Sequence, residues 1–480
     1  MKGSGDIAIE LKGDGRRPLF LDLALSIVEE IERGRLKPGD SLPGTRALAK
    51  SLKINRNTVD AAFHELIMQG WLATEPSRGT FVARDLPDLP AHRRVGKPAA
   101  DPGPAEVAEP PRLFVSDGTP DPRIMPSVEL TRAFRRVFSV PSFRSELTYG
   151  DPRGALSLRQ ALAGYLACER GLTAGPSELI VTRGSQMGLF LAASAITGEG
   201  GVIAVEVPGY SLAWAAFRAA GARIIGVPVD ELGIDVEQLD LIAQKEPRLK
   251  AVYVTPHHQY PTTVTLGAGR RLRLLDLAKR YGLTVIEDDY DHEYRFDGRP
   301  VLPLAARAAP DQSIIYIGSL SKMLAPAVRL GYAVARSDIV KRMADRREVI
   351  DRLGDLPLEK AVASMIVDGE LARHARKARR IYEERRNFLA NEVDRRLGDD
   401  VTFAVPAGGL AMWLRLRSGM SADVWAASAE RAGLSISPGV RFALDIASAP
   451  EAFRFGYASL TESEIRRAVG LLARTRPVVR

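Results

Sequence analysis

Between Arg84 and Arg112 the chain carries seven prolines in a stretch dominated by Pro, Ala, Asp and Gly, with too few large apolar residues to build a core. A 480-residue chain interrupted in this way is expected to fold around separate cores, one on each side of the stretch. The sequence places a small module at residues 16–84, an extended semi-rigid linker at 85–112 and a large module at 113–480. A composition of 45% hydrophobic and 26% charged residues is ordinary for globular domains. No apolar run is long enough to span a membrane, and Met1 to Gly15 lacks the apolar core of a signal peptide, so a cytoplasmic protein without a membrane partner is expected. The lone Cys168 excludes an internal disulfide, and the histidines, including His257 and His258, lack metal-ligand spacing, so no metal is expected.

In the small module, PLFLDLALSIVEEIERG has helical apolar spacing and stops at Gly34, and the turn LKPGDSLP leads into a second short helix, TRALAKSL. Asn55 is placed to cap a third helix, RNTVDAAFHELIMQG, with Val59, Phe63 and Leu66 on one face. WLATEPSRGTFVA then reads as strand, turn and strand. This is a helix-turn-helix followed by a wing. The net charge of +8 fits a polyanionic partner, and it is local here: Gly44 to Val59 contains Arg46, Lys50, Lys53 and Arg56 and no acidic residue. The third helix of such a module enters the major groove of double-stranded DNA with its first turn toward the base edges. Arg56, Asn57 and Thr58 lie there, and Arg and Asn bond guanine and adenine edges bidentately. Arg46 is placed for phosphate, and Arg78 beside Gly79 for the wing tip.

This region resembles the GntR family of regulators through Leu42-Pro43-Gly44-Thr45-Arg46, Asn55-Arg56-Asn57-Thr58-Val59 and Gly79-Thr80-Phe81-Val82. Gly44 stands where the family has a capping Ser, and Lys53-Ile54-Asn55 where it has Gly-Val-Ser.

In the large module, short apolar runs alternate with helical stretches: ELIVTRG, GVIAVEV, ARIIGVPV, KAVYVTP, LTVIEDDY, SIIYIGSLSK and RLGYAVA. The alternation predicts a mostly parallel, helix-covered α/β sheet. From about Ala344 the chain is richer in helix, with AGGLAMWLRL as a strand, which predicts a smaller α+β subdomain over 344–480. The basic run Arg373 to Arg380, continued by Arg385 and Arg386, is expected on the solvated face of a long helix.

Lys322 follows a strand in Gly318-Ser319-Leu320-Ser321-Lys322, a setting suited to a Schiff base with an aldehyde cofactor. Upstream, Asp288 at the end of the IEDDY strand can pair with the protonated pyridine nitrogen of pyridoxal 5'-phosphate. Tyr290 can donate to its phenolic oxygen, and Tyr210 in Pro208-Gly209-Tyr210 can stack on its ring. Gly184, Ser185 and Gln186 open a helix after a strand and so offer backbone N–H groups to a phosphate, joined by Ser319, Ser321 and Arg329. Arg454, in Phe453-Arg454-Phe455-Gly456-Tyr457, is the candidate clamp for an effector carboxylate.

These residues resemble fold-type I aminotransferases, and the order of helix-turn-helix, linker and aminotransferase-like domain is similar to the MocR subfamily of GntR regulators. Further matching stretches are Leu147–Gly154, Val181–Gln186, Pro256–Thr262 and Arg329-Leu330-Gly331-Tyr332. The resemblance implies a pyridoxal-phosphate aldimine at Lys322, a small amino-compound effector and a head-to-tail homodimer with swapped DNA-binding modules. Where aminotransferases carry an Asn-Pro-x-Gly loop, this chain has Tyr260 and Thr263 in the Asn and Gly places. Three functions compete: a regulator sensing an amine, an active aminotransferase with an accessory DNA-binding module, and a DNA-binding protein whose large domain is a dimerisation scaffold.

Overall fold

The computed structural model describes residues 17–75, 79–86, 112–297 and 301–477. Most of the expected linker (87–111) and Arg78 at the wing tip lie outside the described residues. The chain divides into two compact units, Met1–Ala108 and Glu109–Arg480.

In the first unit, α1 (Leu19–Glu32), α2 (Thr45–Leu52) and α3 (Arg56–Met68) precede an antiparallel hairpin of β1 (Leu72–Glu75) and β2 (Gly79–Val82). Helical spacing sends Leu23, Ile27 and Ile31 of α1, Leu48 of α2, and Val59, Phe63 and Leu66 of α3 into one core. Gly44 leaves α2 without a side-chain cap, whereas Asn55 caps α3 by accepting from the Asn57 N–H at 2.9 Å. Between these helices Lys53 takes a left-handed conformation, φ 55°, which turns the chain from α2 into α3.

The second unit begins with β3 (Leu113–Phe114), α4 (Ser127–Ser139) and α5 (Leu156–Arg170). The alternating section follows: β4 (Leu179–Thr182), α6 (Gly184–Ile196), β5 (Val202–Val207), α7 (Ser211–Ala219), β6 (Arg223–Asp230), β7 (Gly233–Ile234) and α8 (Val236–Lys245). It continues through β8 (Leu249–Val254), α9 (Ala268–Tyr281), β9 (Thr284–Asp289), β10 (Ile314–Ser319) and β11 (Gly331–Val334). These strands form an eight-stranded sheet in the order β4-β11-β10-β9-β8-β5-β6-β7. The five strands from β10 to β6 are parallel, and β11 runs against both neighbours. The near-continuous burial of β5, β8, β9 and β10 is what a sheet covered on both faces requires, while β6, toward the sheet edge, is only partly buried.

Helices α10 (Ser337–Ile350), α11 (Leu356–Val367) and α12 (Glu370–Leu397) lead to the C-terminal layer. It contains β12 (Val401–Thr402), β13 (Ala411–Leu416), α13 (Ala422–Arg431), β14 (Leu434–Ser435), β15 (Ser437–Pro438), β16 (Ala452–Gly456) and α14 (Glu462–Arg474). Its four-stranded antiparallel sheet, β12-β13-β16-β15, packs through Met412, Leu414, Phe453 and Phe455 onto a core that includes Trp425 and Leu389. The layer is not continuous in sequence: β3 pairs in parallel with β14, and Val115 is buried in the same core. The basic run on α12 also differs from the solvated face expected of it. Arg385 is buried against Asp121 at 2.9 Å and Arg386 against Asp297, because both point from α12 into the C-terminal layer rather than away from it. Among the described residues, no helix is long and apolar enough to cross a membrane.

Every parallel strand delivers a loop to the carboxyl edge of the sheet, where crevices form in such folds. Gly154 shows how tightly this edge is packed. Its φ is +95°, and a Cβ there would stand 2.7 Å from the Val181 Cβ on β4. Gly154→Ala is therefore expected to destabilise the domain by about 1–3 kcal/mol, read as a lower urea midpoint; an unchanged midpoint would show that the turn has room.

Candidate functional site

Lys322 sits just past β10, and its Nζ donates to the Gly118 carbonyl at 2.8 Å. Around it lies a cavity of about 170 Å³ lined by Asp117, Gly118, Ser185, Tyr210, Leu212, Tyr253, Thr255, Tyr260, Asp288 and Tyr290. Burial lowers the Lys322 pKa, opposed by Asp117, Asp291 and Asp288, which favours the neutral amine that a nucleophile needs.

Asp288 is 3% exposed at the end of β9. One of its oxygens accepts from the Tyr253 hydroxyl at 3.0 Å, while Oδ1 is buried with no partner. Burial pushes its carboxyl up to about 7, with Asp289 and Asp291 adding to the rise and Tyr253 opposing it. A buried acceptor of this kind costs free energy until a donor meets it. A protonated pyridine nitrogen is such a donor, so the residues present fit pyridoxal phosphate.

Tyr290 follows Asp288 by two residues; its hydroxyl donates to the His258 carbonyl at 2.9 Å. The Tyr210 ring meets that of Tyr260 edge to face at 5.0 Å. Gly184 begins α6 with φ +72°, and a Cβ there would lie 3.1 Å from the Arg329 guanidinium carbon, so only glycine lets that side chain cover the helix N-terminus. Arg329 itself donates to the Arg183 carbonyl at 3.0 Å. Of the other residues expected around a phosphate, Ser185 lines the cavity, but Gln186 donates to the Leu212 carbonyl and Ser321 to the Leu330 carbonyl. Ser319 is buried at the end of β10 and, like Gln186 and Ser321, is not part of the cavity wall.

Arg454 on β16 lies over the Tyr260 ring at 4.3 Å. Its Nε donates to the Asp117 carbonyl at 2.6 Å and Nη1 to the Pro261 carbonyl, leaving Nη2 with only a long 3.5 Å contact to Tyr290. The guanidinium is thus held by backbone with one terminal nitrogen turned toward the cavity side. The loop that carries Tyr260 is built differently from an Asn-Pro-x-Gly loop. The Tyr260 hydroxyl donates to Asp117 at 2.5 Å, and Thr263, where glycine was the expected residue, adopts φ +66°. That conformation costs a β-branched residue about 1–2 kcal/mol. Buried Glu206 helps hold the loop, accepting from Thr255 Oγ1 at 2.6 Å and from Gln259.

Asp117, Gly118, Tyr253 and Thr255 are wall residues that the sequence pattern did not single out. The polar turn Ser116-Asp117-Gly118-Thr119-Pro120 directly after an apolar run was the available signal for the first two. Tyr253 had none, since its place beside Asp288 depends on the pairing of β8 with β9.

On the DNA-reading module, Arg46, Arg56 and Asn57 are exposed and Thr58 is half-buried in the first turn of α3. Arg56 Nε lies 3.4 Å from Asp60, one turn on along α3. Gly79 opens the second wing strand with φ +98°.

The two folds together define a transcription regulator with a winged helix-turn-helix and an aminotransferase-like domain. The family described as bacterial regulatory proteins, gntR family, matches residues 21–82, and aminotransferase class I and II matches residues 119–472. The chain belongs to the MocR subfamily of GntR regulators. It is 30% identical to the probable rhizopine catabolism regulatory protein MocR of Rhizobium meliloti, over 89% of this chain and 88% of that protein. It is 32% identical to the pyridoxine biosynthesis transcriptional regulator PdxR of Corynebacterium glutamicum, over 81% and 82%. The large domain superposes on the Pyrococcus horikoshii kynurenine aminotransferase with a TM-score of 0.70 and 26% identity, covering 76% of this chain and 90% of that one. The first module implies DNA binding and the second implies dependence on pyridoxal phosphate.

Asp288 gives a pH signature. Its folded pKa of about 7 exceeds that of a free carboxyl, so the stability tied to its proton is present in acid and lost as pH rises through about 7. Asn is neutral throughout. In cofactor-free protein, the melting temperature of Asp288→Asn relative to the parent should therefore climb from about pH 5 to about pH 8; a constant difference would show that Asp288 does not titrate there.

Proposed function

We propose that this regulator holds pyridoxal phosphate on Lys322 and uses it to sense an amino acid or related amine, with α3 reading an operator. The observation that carries this reading is the buried, half-satisfied Asp288 facing the same cavity as the lysine amine, in a chain that also carries a DNA-reading module. When bound, the cofactor supplies an aldehyde that condenses reversibly with primary amines. The chain's own groups then divide the work. Asp288 would hold a proton on the ring nitrogen, Tyr290 would serve the phenolic oxygen, and Tyr210 would cover the ring. Ser185 and the N–H groups opening α6, with Arg329, Ser319 and Ser321, take the phosphate, with Gln186 adding its backbone N–H. Arg454 offers Nη2 to an effector carboxylate.

Lys322 Nζ contacts the Gly118 carbonyl beside Asp117, so an amine effector that changed the state of this lysine would change what Gly118 and Asp117 contact, and a homodimer with head-to-tail, swapped modules would carry that change to DNA. In the DNA module, Arg56, Asn57 and Thr58 address bases, and Arg46 with the Arg78–Gly79 wing addresses backbone. A second reading, a turning-over aminotransferase, is favoured by the intact cavity and by 29% identity to the 2-aminoadipate transaminase of Thermus thermophilus.

Lys322→Ala should fold yet lose the visible absorption of covalently held cofactor; an unchanged band removes Lys322 from the site. In the parent, one amine in a panel should move that band persistently, without turnover when a keto acid is added. Rapid repeated cycling with the keto acid would instead establish the enzyme. Arg56→Ala should weaken operator binding by about 1–3 kcal/mol and relax specificity at one position; an equal loss on every DNA would assign Arg56 to phosphate.

A further inference from the structure

A second cavity, of about 510 Å³, lies between α5, α12 and the turn after β9, and shares no wall residue with the cavity at Lys322. Several of its buried side chains carry a polar atom with no hydrogen-bond partner, mostly nitrogens of Arg170, His257 and Arg295, with one oxygen of Glu293. Arg170 is 2% exposed and holds Asp289, yet its Nε is buried with no partner. His257 is 3% exposed with Nε2 likewise unpartnered, and Arg295 leaves both Nε and Nη1 buried and unbonded. At the mouth stand Arg376, Arg379 and Arg380 of α12, all exposed, and none of the three has a carboxylate partner among the described residues.

The charge is also unbalanced. Five arginines line the cavity against three glutamates. Asp289 neutralises Arg170, so that pair drops out. Four arginines then face Glu169, Glu293 and Glu383, an excess of one positive charge that becomes two when His292, 3.0 Å from Glu293, carries a proton. A phosphate monoester carries one to two negative charges at neutral pH and three strong acceptors, matching the sign of the excess charge and the supply of donors.

We propose that this cavity binds a small phosphate-bearing anion, gripped by Arg295, Arg376, Arg379 and Arg380 and met from within by Arg170 and His257. A duplex backbone could touch the exposed α12 arginines but could not reach Arg170 or His257, which favours a small molecule over DNA. The site lies outside the cofactor site and does not depend on it.

The test is calorimetric titration of the full chain, loaded with pyridoxal phosphate, with inorganic phosphate at constant ionic strength and chloride as reference. One saturable site per chain is expected, weakened about tenfold or more in the Arg376→Gln/Arg379→Gln double variant. Both side chains are exposed, so the variant should melt with the parent in the absence of phosphate. No saturable heat, or equal affinity in parent and variant, overturns the proposal. Binding that instead disappears in Arg329→Ala would place the phosphate at α6 and overturn it as well. So would a parent that ignores phosphate while the double variant loses operator affinity, because the α12 arginines would then serve DNA.

Discussion

Four carboxylates within five residues, Glu287, Asp288, Asp289 and Asp291, are buried at the end of one strand, and much of the large domain is arranged to tolerate them. Buried carboxylates are costly unless hydrogen-bonded or paired. Each is met differently. Glu287 accepts from the Leu304 and Ala305 N–H groups at 2.8 and 2.9 Å. Asp289 is held by Arg170 and by the Tyr316 hydroxyl at 2.8 Å, and Asp291 by His258 at 2.8 Å. Asp288, Asp289 and Asp291 each keep one oxygen without a partner, and of the three it is Asp288 that lines the lysine cavity. Strand alternation separates it from Glu287 and Asp289, so the polar support behind the site and the site itself fall on opposite faces of β9.

That separation explains the electrostatic contrast between neighbours. Asp289, beside Arg170 and His292, is held well below the usual carboxylate range despite its burial. Asp288, one residue earlier, is pushed up by burial that nothing comparable offsets. A group in this state can accept a cationic partner, and it is poised to respond to whether one is present.

Much of this architecture was legible in the residues. The apolar runs predicted all seven principal strands of the large sheet, because a parallel sheet covered on both faces leaves near-continuous apolar segments. The three helices and the wing followed equally from spacing, Asn55 and the turn residues. What the sequence did not reveal depends on contacts between distant segments. Asp117 comes near Lys322 only because residues 113–115 join the C-terminal layer, and Tyr253 reaches Asp288 only through strand pairing. Arg385 and Arg386 look like surface charges in a basic run, yet they are buried because Asp121 and Asp297 come to them from elsewhere in the chain. The replacement of Asn and Gly by Tyr260 and Thr263 was visible from the start. Its consequence, a Tyr260 hydroxyl spent on Asp117 and a left-handed Thr263, needed the folded loop.

On the function proposed above, an amine arriving at Lys322 changes how α3 engages DNA. Linkage requires that such an effector shift operator affinity by the same factor by which operator shifts effector affinity. The most direct measurement is operator affinity, at fixed salt, with and without the amine that alters cofactor absorption, in the parent and in Lys322→Ala. Operator affinity is expected to change in the parent and to stay constant in the variant. Equal operator affinity in the parent with and without the amine would contradict it, leaving the two modules joined in sequence but not in function.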